Sequence, residues 1–209
     1  MVKKVMERKL MIHSLSENIA DFLLSKDCFE KENLDIYVYG TELILSTALG
    51  IIIVSILSIV FNCIAQGLLF YLTFYTIRKY SGGLHCNTHL KCNLTYLSVF
   101  ILSVLIDSVV KNSVYRIFIL ITFVVFSLIT IILFAPIENI NKPIKYEDRK
   151  KFKIISIIIY LSHILLFVLL NYFFEIKADI IIITDLFVAF LIIVTLFLKN
   201  ERRNKNENS

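Results

Sequence analysis

Hydrophobic residues are concentrated in six nearly uncharged segments along the chain. The segments cover residues 43–61, 64–77, 94–110, 114–134, 154–174 and 180–198. A helix needs about 20 predominantly apolar residues to cross a bilayer, with a range of roughly 17–25. Five segments meet this requirement, whereas the second is short for a crossing. The pattern predicts an all-α, polytopic integral membrane helix bundle with about six transmembrane helices.

The first 41 residues have a different pattern, because their apolar residues recur at helical spacing among charged ones. These apolar residues are Leu10, Met11, Leu15, Ile19, Phe22 and Leu23. The spacing predicts an amphipathic helix that either lies on the membrane surface or packs on the protein's own loops. The same mixture of charges argues against a cleavable signal peptide. Residues 199–209 are polar and charged, and we expect them to be disordered.

Composition narrows the class of protein further. Hydrophobic residues make up 57% of the 209 residues and charged residues 19%. A soluble domain has roughly 45–50% apolar and about 25% charged residues. These values exclude a soluble enzyme, a disordered chain and a nucleic-acid-binding module. We therefore expect the protein to be surrounded by a lipid bilayer, and we expect no nucleic acid as a partner.

The placement of the basic residues predicts the orientation of the bundle. With six crossings and both termini in the cytoplasm, 19 of the 22 Lys and Arg residues fall on the cytoplasmic side. An excess of this kind in short loops is the usual indicator of the inner face. We therefore expect one membrane-embedded domain over residues 1–209. In it, 1–41 form a cytoplasmic or interfacial region, 42–198 the transmembrane bundle and 199–209 a cytoplasmic tail.

The segment between the second and third apolar runs carries residues with reactive side chains. It contains the adjacent glycines Gly82 and Gly83, and two histidines and two cysteines follow within residues 85–92. Three interpretations are open. The segment supplies a Cys–His pair for nucleophilic catalysis, a zinc site, or a polar loop at a helix end in which Cys is only a small apolar residue.

Geometry constrains the catalytic interpretation. On one continuous helix, His85 and Cys92 would face the same side but lie about 10 Å apart along the axis, which is too far for a hydrogen bond. A working pair therefore needs a break in the helix. Gly82 and Gly83 free the backbone, and Asn87 and Thr88 are favourable residues for the start of a new helix. Cys92 would then lie in the first turns of that helix, where the helix dipole favours a thiolate.

The stretch 78–92, with its Arg, paired Gly, His and Cys, resembles the signature of the accessory gene regulator B family. The likeness extends to residues 39–42 before the first span and to residues 135–144 after the fourth. It covers the chain from about residue 18 to residue 198. The spacing of the His and the Cys after the paired glycines is the most specific part of the resemblance.

The resemblance implies a membrane cysteine endopeptidase in the bacterial cell membrane, with Cys92 as the nucleophile and His85 as its base. Such an enzyme removes the C-terminal tail of a short membrane-associated propeptide through an acyl-enzyme thioester. It also promotes cyclisation of the remaining peptide to a thiolactone or lactone signal in quorum sensing. No cofactor and no metal are implied, and the family is compatible with a homodimer.

Five further residues are candidates for substrate binding or for shaping the site. Arg78, Gly82, Gly83 and Lys142 match positions of the family signature, and Lys142 lies in a basic loop suited to an acidic propeptide tail or to anionic lipid. Glu42, at the start of the first span, is a candidate for contact with the catalytic loop or with substrate.

Two alternatives from other classes stay open on the sequence. One is a non-catalytic membrane peptide exporter or channel, in which an intramembrane charge such as Asp185 matters more than the Cys–His pair. The other is a membrane protein with a zinc site formed by His85, Cys86, His89 and Cys92. Among the remaining polar residues of the spans, we expect His163 and Asp185 to pair between the last two helices.

Overall fold

The computed structural model describes residues 2–26, 28, 30–83, 89–138 and 146–207. These residues form seven α-helices and no strand, and 87% of them are helical. The helices are α1 (Val2–Ser25), α2 (Leu34–Val60), α3 (Ile64–Ser81), α4 (His89–Val110), α5 (Arg116–Phe134), α6 (Tyr146–Phe173) and α7 (Asp179–Glu207), with a 3-10 turn (Lys31–Asn33) before α2. The predicted all-α class is confirmed.

Five segments of the described helices have the length and composition to cross a membrane. They are Lys31–Val60, Lys91–Val110, Arg116–Phe134, Glu147–Phe173 and Asp179–Glu201. These spans confirm a multi-pass membrane helix bundle. They number five rather than the expected six because α3, which contains the short second apolar segment, is not apolar enough.

The composition of α3 has a structural explanation. The helix packs against α6 and α7, and it buries Phe70, Thr73 and Phe74 among other residues. A helix that contacts protein on one side has less surface to present to lipid, so it tolerates polar residues such as Thr73. Its 18 residues correspond to about 27 Å, which is close to the thickness of the hydrocarbon core, about 30 Å.

The chain divides into two compact units. The first consists of Met1–Leu57 and Cys86–Leu97 and therefore contains α1, most of α2 and the start of α4. In α1, Leu15 and Phe22 are exposed, whereas the small residues Ser16 and Ala20 are fully buried. The predicted amphipathic helix is present, and the side chains of Leu15 and Phe22 are available to lipid. Small side chains occupy the buried positions because they allow helices to approach closely.

The second unit consists of Ser58–His85 and Ser98–Ser209, and α7 is its central helix. The most apolar window of α7 is 61% buried, against 17–28% for the other four spans. The reason is that α3, α5 and α6 all pack against it. Its fully buried side chains include Ile180, Ile181, Ile182, Ile183, Ala189 and Ile192.

Two boundaries differ from the expectation drawn from the sequence. The chain is helical as far as Glu207, whereas disorder was expected for residues 199–209. Helical structure, once nucleated in the buried part of α7, extends at little cost into residues such as Lys199, Glu201 and Arg202, which have good helix propensity. Likewise α2 begins at Leu34, before the apolar run that starts at residue 43.

A buried ion pair joins the ends of three helices in the second unit. Arg116 at the start of α5 donates from Nε to Asp179 Oδ2 at 2.7 Å and from Nη2 to Asp179 Oδ1 at 2.5 Å. Its Nη2 also donates to Asn171 Oδ1 on α6 at 2.6 Å. The Asp179 side chain, on the first turn of α7, is fully buried. A two-pronged contact of this kind fixes both distance and orientation.

Candidate active site

The backbone leaves helical geometry immediately after α3. Gly82 has φ +74° and ψ −147°, and Gly83 has φ +121°. Residues with a side chain rarely adopt these angles. At Gly82 an added Cβ would also overlap the carbonyl oxygen of Ile137. The first glycine is therefore required for its φ and for the close approach of another backbone segment.

That other segment follows α5 in the sequence. Gly82 forms an isolated parallel bridge with Ile137, and the Ile137 N–H donates to the Ser81 carbonyl oxygen at 3.0 Å. The contact holds the chain after α5 against the end of α3. Sequence reasoning did not identify Ile137, because this residue acts through its backbone. The motif residues Ala135 and Pro136 directly before it were the available signal.

Arg78 lies on the last turn of α3, close in sequence to this junction. Its guanidinium carbon lies 5.0 Å from the centroid of the Phe74 ring, within the range of a cation–π contact. Two residues further along α3, the Tyr80 ring makes an edge contact with the Phe152 ring of α6, and the two ring centroids are 5.8 Å apart. The contact with Arg78 lies within α3, whereas the contact with Phe152 ties the end of α3 to α6 before the chain reaches Gly82.

Cys92 is the fourth residue of α4 and is half-buried. α3 ends at Ser81 and α4 begins at His89, and Gly82 and Gly83 have left helical geometry. The expected break between His85 and Cys92 involves residues outside the described ones and stays a prediction. Cys92 lies on the first turn of α4, near backbone N–H groups that have no partner within the helix. The partial positive charge at a helix start stabilises a thiolate.

The neighbouring Asn93 contacts α2 within the first unit. The Ser46 hydroxyl donates to Asn93 Oδ1 at 3.4 Å, and a Cβ at Gly50 would lie 3.5 Å from the same oxygen. Because Asn93 faces α2, the rotation of the first turn of α4 is set, and so is the direction of Cys92. The sequence offered no signal for the roles of Ser46 and Gly50.

Glu42 contacts the N-terminal helix. Its Oε1 lies 2.5 Å from Nδ1 of His13 on α1, and His13 Nε2 lies 3.2 Å from Glu17. Both partners belong to the first unit. The expected contact between Glu42 and the catalytic loop or substrate stays a prediction.

Several predicted site residues lie outside the described residues. His85, Cys86 and Lys142 are among them, and of His89 only the helical backbone is described. Cys92 belongs to the first unit, whereas Arg78 and the two glycines belong to the second. The His85–Cys92 pair stays a prediction. Among the described residues no group of three or more His, Cys, Asp or Glu side chains is suited to hold a metal ion.

Cys63, at the start of α3, has an environment opposite to that of a reactive thiol. Burial raises the pKa of Cys63, the nearby Asp107 carboxyl raises it further, and a hydrogen bond with Ser58 lowers it. Burial is the largest of these effects, so the protonated thiol is favoured. Cys63 is therefore suited to packing rather than to nucleophilic attack.

His163 and Asp185 lie together in the second unit, as expected from the sequence. His163 Nδ1 is 3.1 Å from Asp185 Oδ1 and 3.2 Å from Oδ2. The other ring nitrogen, Nε2, is 2.9 Å from the Thr76 hydroxyl oxygen on α3. The sequence did not indicate Thr76, because a threonine in an apolar helix has no distinctive spacing.

The apolar helices define a multi-pass membrane protein. Its Cys92 lies at the start of α4, the helix that follows α3 and the paired glycines. The family profile described as accessory gene regulator B matches residues 16–198, and the chain belongs to this family. Membership assigns the protein a role in the accessory gene regulator quorum-sensing system.

Two relatives illustrate the similarity. The chain is 36% identical over 148 residues to an AgrB-like protein of Clostridium perfringens strain 13, and the alignment covers 68% of each chain. It is 35% identical over 143 residues to an AgrB-like protein of Listeria innocua, covering 66% of this chain and 68% of the relative. No solved structure matches the chain.

Proposed function

We propose that this protein is a membrane cysteine endopeptidase that removes the C-terminal tail of a quorum-sensing propeptide and promotes its cyclisation. The observation that carries the proposal is the position of Cys92. It lies on the first turn of α4, after a break that begins at Gly82 and Gly83. A nucleophilic cysteine at a helix start is a recurrent arrangement, since the helix dipole stabilises the thiolate. His85, seven residues before it, is the base.

The first chemical step is acylation. The Cys92 thiolate attacks the scissile carbonyl carbon, and the carbonyl oxygen takes up the negative charge. The tetrahedral intermediate then collapses, the C–N bond breaks, and the imidazolium of His85 gives its proton to the leaving amine. The tail departs, and the peptide remains joined to Cys92 as a thioester.

The second step is ring closure. A thiol or hydroxyl of the bound peptide gives its proton to His85 and attacks the thioester carbonyl, and the Cys92 thiolate leaves. Exchange of one thioester for another is nearly balanced in free energy, whereas hydrolysis destroys the intermediate. Cyclisation is therefore favoured by a site that limits water and holds the internal nucleophile close. A helix start at the edge of a membrane bundle is suited to both.

The test is cleavage of a tagged family propeptide by the protein in membranes. We expect Cys92→Ala and His85→Ala each to reduce cleavage at least a hundredfold, because general-base and nucleophile losses are of that order or larger. A Cys92 adduct sensitive to hydroxylamine is expected in the wild type. Cys28→Ala is the matched control, since Cys28 is exposed and is expected to be dispensable.

Three outcomes distinguish the alternatives. Cleavage that persists without Cys92 would contradict the proposal that Cys92 is the nucleophile of this protein. Loss of cleavage in Cys86→Ala together with loss of bound zinc would favour a zinc site. Cleavage retained in Cys86→Ala and lost in Cys92→Ala and His85→Ala supports the Cys–His pair.

A further inference from the structure

The exposed side chains of α3 form a continuous apolar row. They recur every three or four residues, which places them on one face of the helix. The row consists of Ile64, Leu68, Leu72 and Tyr75, each 47–67% exposed. The opposite face of α3 is buried and contains Phe70, Phe74 and Ile77. Because α3 packs against the membrane-spanning helices α6 and α7, its exposed row faces the hydrocarbon of the bilayer.

A lysine continues this row at the end of α3. Lys79 follows Tyr75 by four residues and is exposed, so it lies on the same face of the helix, about 6 Å further along the axis. Its ammonium group lies 5.4 Å from the centroid of the Tyr80 ring. Lysine and tyrosine at the end of a lipid-facing row are typical of the interface between hydrocarbon and headgroups.

The same arrangement is found on α6. Its exposed row consists of Ile154, Ile158, Leu161 and Leu165, each 50–59% exposed. Lys150 and Lys151 lie one turn before Ile154 on the same face, and both are exposed. Glu147, one turn further out, is also exposed and is placed to pair with Lys151. Two lysines and one glutamate leave this end of the α6 row positively charged.

The two rows end in lysines at the same end of the second unit. The chain leaves α3 there and enters α6 there, and the Tyr80 and Phe152 rings join the two helices with their centroids 5.8 Å apart. Lys79 adjoins Tyr80 in the sequence, and Lys151 adjoins Phe152. Apolar rows that end in positive charge complement a molecule with apolar chains and an anionic headgroup.

We propose that Lys79, Lys150 and Lys151 form a binding surface for anionic phospholipids, whose acyl chains lie along the exposed rows of α3 and α6. The lysine ammonium groups donate to the phosphate oxygens of the headgroups. An acidic peptide would pair with the lysines but would leave the apolar rows without a partner, so the lipid is the better fit. The proposal does not depend on the peptidase activity, because it uses neither His85 nor Cys92.

The test is native mass spectrometry of the full-length protein, released from detergent and titrated with phosphatidylglycerol or with phosphatidylcholine of the same acyl chains. We expect the wild type to bind phosphatidylglycerol at least tenfold more tightly. Lys79→Gln is expected to weaken phosphatidylglycerol binding about fivefold, and Lys150→Gln combined with Lys151→Gln more strongly, with phosphatidylcholine binding unchanged. Equal affinity of the wild type for the two lipids would overturn the proposal.

Arg149→Gln is the matched control. Arg149 is an exposed basic residue next to Lys150, but it lies off the apolar row, and its guanidinium is 3.9 Å from Glu138 Oε1. We expect its loss to change phosphatidylglycerol binding less than twofold. An effect as large as that of Lys150→Gln would show that only total charge matters, and would overturn the proposed surface.

Two further measurements separate the lipid from other causes. Lys79→Arg keeps the charge and is expected to keep the preference for phosphatidylglycerol, whereas a loss in this variant would exclude a headgroup contact by Lys79. A glutamate-rich peptide is the competing probe. Peptide binding that the lysine substitutions abolish, without a preference for phosphatidylglycerol, would assign the lysines to an acidic peptide and overturn the lipid proposal.

Discussion

At the scale of single residues, the backbone at Gly82 shows why the site needs particular side chains. Its φ of +74° and the approach of Ile137 leave no room for a Cβ. Gly83 shares the positive φ, but the nearest atom to an added Cβ is Leu191 Cβ at 4.0 Å. Glycine is therefore required at the two positions for different reasons. At Gly82 both the lack of space and the backbone angle require it, whereas at Gly83 only the backbone angle does.

Gly82→Ala is expected to lower the thermal unfolding midpoint of the purified protein by several degrees. Strained backbone angles cost about 1–3 kcal/mol, and the overlap with Ile137 adds to this. Gly40→Ala is the matched control, because nothing lies within 4 Å of a Cβ at Gly40, and alanine is the better helix former. An unchanged midpoint in Gly82→Ala would contradict the close approach of Ile137.

At the scale of elements, the turn between α2 and α3 is held by a tight contact. The Cys63 N–H donates to the Ser58 carbonyl oxygen at 2.8 Å. A Cβ added at Gly67 on α3 would overlap Ser58 Oγ and lie 2.8 Å from Ser58 Cβ. The end of α2 and the start of α3 therefore pack closely because one contact residue has no side chain.

Gly67→Ala is expected to destabilise the protein by about 1–3 kcal/mol, the range for overpacking. Ser58→Gly removes the overlapping atoms, so the double variant should recover stability relative to Gly67→Ala alone. Thermal unfolding of the two single variants and the double variant measures this coupling. Additive effects would show that the two residues do not meet.

At the scale of the whole molecule, the ends of α5, α6 and α7 are joined by Arg116, Asn171 and Asp179. Asp179→Asn leaves a partly buried guanidinium without its counter-charge. We expect a loss of about 3–5 kcal/mol in the free energy of unfolding, as for other broken buried pairs. Chemical or thermal unfolding in detergent measures it.

Arg149→Gln is the control for this prediction. Its contact with Glu138 is 3.9 Å long, and both side chains are substantially exposed. Solvent screens such a pair, so the expected change is about 0–1 kcal/mol. If Asp179→Asn and Arg149→Gln lower the free energy of unfolding equally, the buried ion pair would contribute no more to stability than the exposed one.

The extent of successful prediction differs between fold and site. Long apolar runs and helical spacing were sufficient to predict α1 and the five spans, since these features depend on local composition. Whether α3 crosses the membrane could not be predicted from local composition in the same way. Thr73 and other polar residues of α3 are accommodated by contacts with α6 and α7, which are distant in sequence.

The sequence by itself determined the class of protein, the family and the end of α3 at the paired glycines. Hydrophobic length, the paired glycines and the spacing of His85 and Cys92 are all local properties of the chain. The tertiary structure decided which backbone meets Gly82, why Asn93 faces α2 and that Thr76 completes the His163–Asp185 pair. These contacts join residues 22 to 87 positions apart. They depend on how helices approach one another, and no local pattern records that approach.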